Sequence, residues 1–207
     1  MHTYSHAIFT WALARYYDPE ESHAAIWGAA GSALPDMPTL VKAAHLVWRR
    51  RGEISKEEFK EEFYEALEYY DEPSGKLDLT VHSLVPVAAM LVLYRALELK
   101  DRSLLYFLLG WAGHNLMDFP THAEDARPPF WPLFKWRWKS PISYWDRKFY
   151  ALPCLLVEHG TILALALTFL HQSYRKAGEY KRPVLFRTPT LRVLLFGVKP
   201  DRSSFSA

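Results

Sequence analysis

Apolar residues recur at three- and four-residue spacing through most of the chain, and no long run alternates with the two-residue period of a strand, so the pattern predicts an all-α fold. The first helix is expected over about residues 3–17. Asp18, Pro19, Glu20 and Glu21 combine an N-cap, a first-turn proline and two acids, and they start a second helix running toward Gly31. Gly31-Ser-Ala-Leu-Pro35-Asp36-Met-Pro38 reads as a loop leading into a helix that ends near Arg51. Ser55 and Glu58 form a capping box for a charged amphipathic helix ending near residues 71–75. Two apolar helices follow, about 78–99 and 102–118, separated near Lys100 and Asp101. Asp146 is expected to cap a last long helix reaching about Gly178, with a kink at Pro153.

Residues 119–146 break the helical period and hold five of the fourteen prolines and four of the eight tryptophans, namely Trp131, Trp136, Trp138 and Trp145. So long an aromatic loop in a compact domain points to a lid or binding loop. A chain of 207 residues supports one core of ordinary size, so residues 1–180 are expected to form a single-domain helical bundle, with 181–207 as a basic tail.

A net charge of +2 gives no concentrated basic surplus outside that tail, and no nucleic-acid partner is expected. From Arg175 to Arg202 eight Lys or Arg alternate with apolar residues, which suits either an acidic membrane surface or a solvated, partly packed tail. The single Cys154 excludes an intramolecular disulfide and a cysteine-rich zinc site, so any metal must be held by His, Asp and Glu. The first residues lack a basic segment followed by an apolar stretch, so no secretory signal is read. The expected compartment is the cytoplasm, peripheral or integral at the inner membrane. Residues 151–170 are long and apolar enough to span a bilayer, but Glu158 and His159 favour a core helix that turns them toward the protein interior.

His114 and Asp118 lie four apart on a predicted helix, so both project from one face within reach of one cation. The same spacing also suits a hydrogen-bonded structural pair. Gly110 and Gly113 are expected to admit a close backbone neighbour, and Pro120 ends the helix so that His122 turns back to the same place. Asp36, between two prolines, is either a ligand or the N-cap of the next helix. His82 and His6 sit on helices as ligands or as satisfied core histidines. As a set these four imidazoles and two carboxylates match the N/O preference of Zn²⁺, Mn²⁺ or Fe²⁺ better than that of Ca²⁺.

The order His6, then Gly-Ser-Ala-Leu-Pro-Asp36, then His82-Ser-Leu, then Gly-Trp-Ala-Gly-His114-xxx-Asp118 resembles the zinc-dependent phospholipase C superfamily, which includes the single-strand nucleases. It is more similar still to bacterial membrane-bound metal-dependent hydrolases. The resemblance implies an all-α bundle in which His6, Asp36, His82, His114 and Asp118 hold two metal ions, with Asp118 bridging. It further implies hydroxide attack on a small-molecule or lipid phosphoester under the clamp of two cations. In that scheme Asp36 holds metal and accepts the water's proton, and His122 protonates the leaving oxygen or ligates the second ion. The tryptophan loop, with Arg127, Lys135, Arg137 and Lys139, then covers a phosphate-bearing substrate or acts as an aromatic packing clasp. The competing class is a membrane-associated structural or binding protein whose metal site is structural or decayed. A serine esterase is unsupported, because no Gly-x-Ser-x-Gly elbow is present.

Overall fold

The computed structural model describes residues 1–18, 22–51, 53–67 and 73–178. The expected start of the second helix at residues 19–21, the end of the charged helix at 68–72 and the basic tail 181–207 lie outside the described residues. Among those described there is no strand, and the fold is all-α.

Helix α1 (Thr3–Tyr17) packs on α2 (Ser22–Ala33), which in turn lies along α7 (Arg102–Asp118). The α2–α7 approach is set by glycine. A Cβ on Gly31 would fall on the Phe107 carbonyl, and one on Gly110 would fall on the Gly28 carbonyl. Gly113 differs from the expectation, because nothing lies within 4 Å of the place its Cβ would take.

The expected loop at residues 31–38 is a helical junction instead. Helix α2 runs to Ala33, a 3-10 turn covers Leu34–Asp36, and α3 (Met37–Arg49) follows without a break. Pro35 and Pro38 permit this because each falls in a first turn, where no backbone donor is needed. The capping box of α4 (Lys56–Leu67) is formed as read: the Ser55 N–H donates to Glu58 Oε2 at 2.9 Å and the Glu58 N–H donates to Ser55 Oγ at 3.2 Å.

The single helix expected over 78–99 is two. Helix α5 (Pro73–Val81) and α6 (Leu84–Ala96) meet at 58° across His82 and Ser83. Ser83 Oγ accepts from the Val85 N–H at 3.1 Å to cap α6, and Pro86 stands in the first turn of that helix. The carbonyls freed at the end of α5 are taken up by α7. The Trp111 indole donates to the Val81 carbonyl, and Asn115 Nδ2 donates to the Val81 and Ser83 carbonyls at 3.2 and 3.0 Å. Val81, Val87, Leu108 and Trp111 form the apolar core beside this break.

Asp101 caps α7 through the Ser103 and Leu104 N–H groups at 2.8 and 3.2 Å. Residues 119–146 run without a regular element. Asp146 caps only the short 3-10 turn Arg147–Phe149, and α8 (Ala151–Gly178) starts after it. Pro153 lies in the first turn of α8, so the expected kink is replaced by an ordinary helix start.

Helix α8 is the one described helix long and apolar enough to cross a membrane, and only 6% of its apolar window is buried. The expectation of a core helix fails there. Leu152, Leu156, Val157, Leu163 and Leu167 all face outward. Glu158 nevertheless turns inward to α1, whereas His159 stays exposed and meets α1 only at the surface. Glu158 Oε1 accepts from the His2 N–H at 3.0 Å, and the Tyr4 hydroxyl lies 2.7 Å from His159 Nε2.

Gly110→Ala is expected to destabilise the protein by about 1–3 kcal/mol through overpacking of α2 on α7. Gly113→Ala should be neutral or stabilising by up to about 1 kcal/mol, as expected where only helix propensity changes. Chemical denaturation of the two variants beside the parent checks this contrast.

Candidate metal centre

The α2–α7 contact brings the last turn of α2 against the middle of α7, and this places the first ligand. His114, fully buried, has its Nδ1 2.7 Å from the Ser32 carbonyl. A carbonyl can only accept, so Nδ1 carries the proton and donates, which leaves the lone pair on Nε2. Two other histidines are fixed in the same way. His82 donates from Nδ1 to the Asp78 carbonyl at 2.9 Å, and His122 donates from Nδ1 to the Asp118 carbonyl at 3.1 Å. This backbone anchoring of one ring nitrogen is how proteins present the other to a metal.

The Nε2 atoms of His82 and His114 are buried and have no hydrogen-bond partner. They converge on two carboxylates. Asp36 Oδ1 lies 3.7 Å from His82 Nε2 and 3.8 Å from His114 Nε2, and Asp118 Oδ2 lies 3.0 Å from His114 Nε2. One ligand atom from each of Asp36, His82, His114 and Asp118 falls within 4.8 Å of the others, so the four together could hold a metal ion. Buried imidazole nitrogens facing carboxylates need a proton or a metal ion between them, and these N/O donors fit a metal.

Asp36 occupies the N-cap position of α3 but makes no side-chain cap. Its Oδ2 instead accepts from the Thr3 hydroxyl at 2.6 Å, which aims the other oxygen at the histidines. The N-cap alternative is thereby removed. His6 stands next to this tetrad, with Nε2 2.9 Å from Asp118 Oδ1 and its ring 3.9 Å from that of His114. The Met1 α-amino group also meets Asp118 Oδ1, at 2.8 Å. The two oxygens of Asp118 therefore face different partners, one toward His114 and the other toward His6. His122 stands apart from the tetrad. Its Nδ1 is 3.7 Å from Asp118 Oδ1, and its Nε2 is 3.7 Å from Asp125 Oδ2.

Sequence reasoning missed the residues that hold these ligands. Asp78 Oδ1 lies 3.4 Å from His82 Nδ1, accepts from Thr39 at 3.0 Å, and shares an ion pair with Arg127, whose Nε donates to Asp78 Oδ2 at 2.7 Å. Asp125 accepts from the Trp145 indole at 2.8 Å, so one tryptophan of the long loop braces the neighbour of His122. No local pattern announces a pair 49 residues apart, although Asp78 lying one helical turn before His82 is a readable spacing.

Charge follows the geometry. Burial works against the Asp36 carboxylate, but the facing His82 and His114 and the Thr3 hydroxyl bring it down to about 2. Burial likewise opposes the Asp118 carboxylate, yet His122, the α-amino group, His114 and His6 hold it well below the usual range. Burial and the positive Arg127 push against a proton on His82, but Asp78 and Asp36 outweigh them and raise it to about 9. His122 goes the other way. Burial dominates the nearby carboxylates and lowers it to about 4.

The sign of the pH effect follows from His82. Without metal its imidazole is protonated at pH 7, and this raised value contributes stability below pH 6.5 that is lost as pH rises through about 9. A metal ligand must be neutral, so cation uptake expels that proton. Apparent Zn²⁺ affinity is expected to climb by up to about tenfold per pH unit between pH 6.5 and 9 from this group and then level off. Competition with a chromogenic chelator across that range checks it, and a flat profile contradicts it. His82→Gln should flatten the slope.

No protein-family model matches the chain, and no curated protein or solved structure matches it.

Proposed function

We propose that this protein is a metal-dependent hydrolase of the zinc-dependent phospholipase C type that cleaves a phosphoester at a membrane surface. The observation that carries the reading is the convergence of His82 and His114 Nε2, each buried, unpartnered and fixed from behind, on Asp36 and Asp118. Zn²⁺ suits the N/O donors, with Mn²⁺ or Fe²⁺ as alternatives.

Asp36, His82, His114 and Asp118 would hold one ion. The opposed environments of the two Asp118 oxygens support a bridging role toward a second ion beside His6. When bound, such cations supply an activated water and neutralise charge on the attacking and leaving oxygens. Asp36, held at about 2, is a ligand and a weak proton acceptor. His122, neutral at pH 7 with its Nε2 lone pair free, suits proton acceptance or ligation rather than donation to a leaving group. Placement at a bilayer is supported by the outward apolar face of α8. A lipid phosphoester therefore fits the reading as well as a small soluble one.

Protein purified without added ions is expected to carry transition metal and to turn over part of a phosphomonoester and phosphodiester panel. His114→Ala should lose both the metal and about 100-fold or more in kcat/KM. An absence of transition metal, or a full complement retained in Asp118→Asn, would overturn the reading in favour of a membrane-associated structural or binding protein.

A further inference from the structure

A recess opens beside the tetrad, lined by the polar His82, Asp118, His122 and Arg127 together with the apolar Phe119 and Trp138. Arg127 is the cation of this recess. Its guanidinium is engaged on one edge only, with Nε donating to Asp78 Oδ2 at 2.7 Å and Nη2 to Asp78 Oδ1 at 3.4 Å. A guanidinium carries five N–H donors, and among the described residues no group accepts from Nη1. Nη1 is also not among the buried unpartnered atoms, and the side chain keeps 18% of its exposure. The free edge therefore opens on the recess.

Asp78 does two things for this arginine. It offsets the burial of the cation, and through two contacts it fixes the plane of the fork. The planar donors are thus set before any ligand arrives, next to the Asp118 side of the metal centre. A fixed, half-satisfied guanidinium facing a water-accessible recess is suited to the oxygens of a phosphoryl group. The apolar part of the lining, where Phe119 and Trp138 stack with ring centres 6.2 Å apart, would take the uncharged remainder of the ester.

We infer that Arg127 is the substrate-binding residue that grips the phosphoryl oxygens of an anionic phosphoester, held in place by Asp78. This inference rests on the phosphoesterase reading above and names the residue that would hold the anionic part of its substrate.

Inorganic phosphate is the probe, added to the full-length, zinc-loaded protein and followed by calorimetry beside metal analysis. Arg127→Lys keeps a charge opposite Asp78 but loses the fork. It should bind phosphate at least about tenfold more weakly while retaining the parent's metal content. The double variant Asp78→Asn with Arg127→Gln removes both charges together and should also lose phosphate binding. Phosphate affinity equal to the parent in Arg127→Lys would overturn the inference, as would loss of metal and phosphate together in both variants, which would make Arg127 only a support for His82. If the parent takes up no metal, the hydrolase reading fails separately. Phosphate binding that still depends on Arg127 in that metal-free protein would keep the anion site, and its absence would end it.

Discussion

The close approach of α2 to α7 is the contact on which the rest of this structure depends. It exists because Gly31 and Gly110 put no Cβ between two helix backbones. With the backbones this near, the Ser32 carbonyl reaches the His114 ring and settles its tautomer. The Trp111 and Asn115 side chains of the same helix take up carbonyls where α5 ends and α6 begins, and so hold open the break that turns His82 toward Asp36. Packing, helix termination and ligand orientation are therefore consequences of one steric permission.

The distribution of polarity follows a second logic. The most deeply buried groups include His6, His114, Ser5, Ser32 and Ser83, while leucines, valines and tryptophans of several helices face outward. A soluble monomer usually buries such residues and leaves only scattered apolar surface. Here the interior is organised around a polar centre, and the apolar surplus on α8 is turned away from it.

Much of this was legible in the sequence, and the failures have physical causes. The helical period, the Ser55/Glu58 box and the break near Lys100 and Asp101 are local signals and appear where the residues place them. The pairing of His114 with Asp118 is also local, one turn of one helix. Asp36 was ambiguous because an aspartate before a helix has two uses, and only Thr3, 33 residues away, decides between them. The division between α5 and α6 was readable, since Ser83 and Pro86 make an ordinary start signal, but the continuous apolar period on both sides masked it. Gly113 was misjudged because sequence does not say which side of a helix meets a neighbour. The Asp78–Arg127 pair depends on a fold already formed.

The first turn of α1 has no idle face. Thr3 and His6 reach one way, to Asp36 and Asp118, while His2 and Tyr4 reach the other way, to Glu158 and His159 on α8. A one-residue slip turns a helix by about 100° and would part both sets of contacts at once. In this turn, register is constrained as strictly as residue identity: a deletion or insertion among residues 2–6 would disconnect the outward apolar helix from the buried acids in a single step, where most substitutions would loosen only one side.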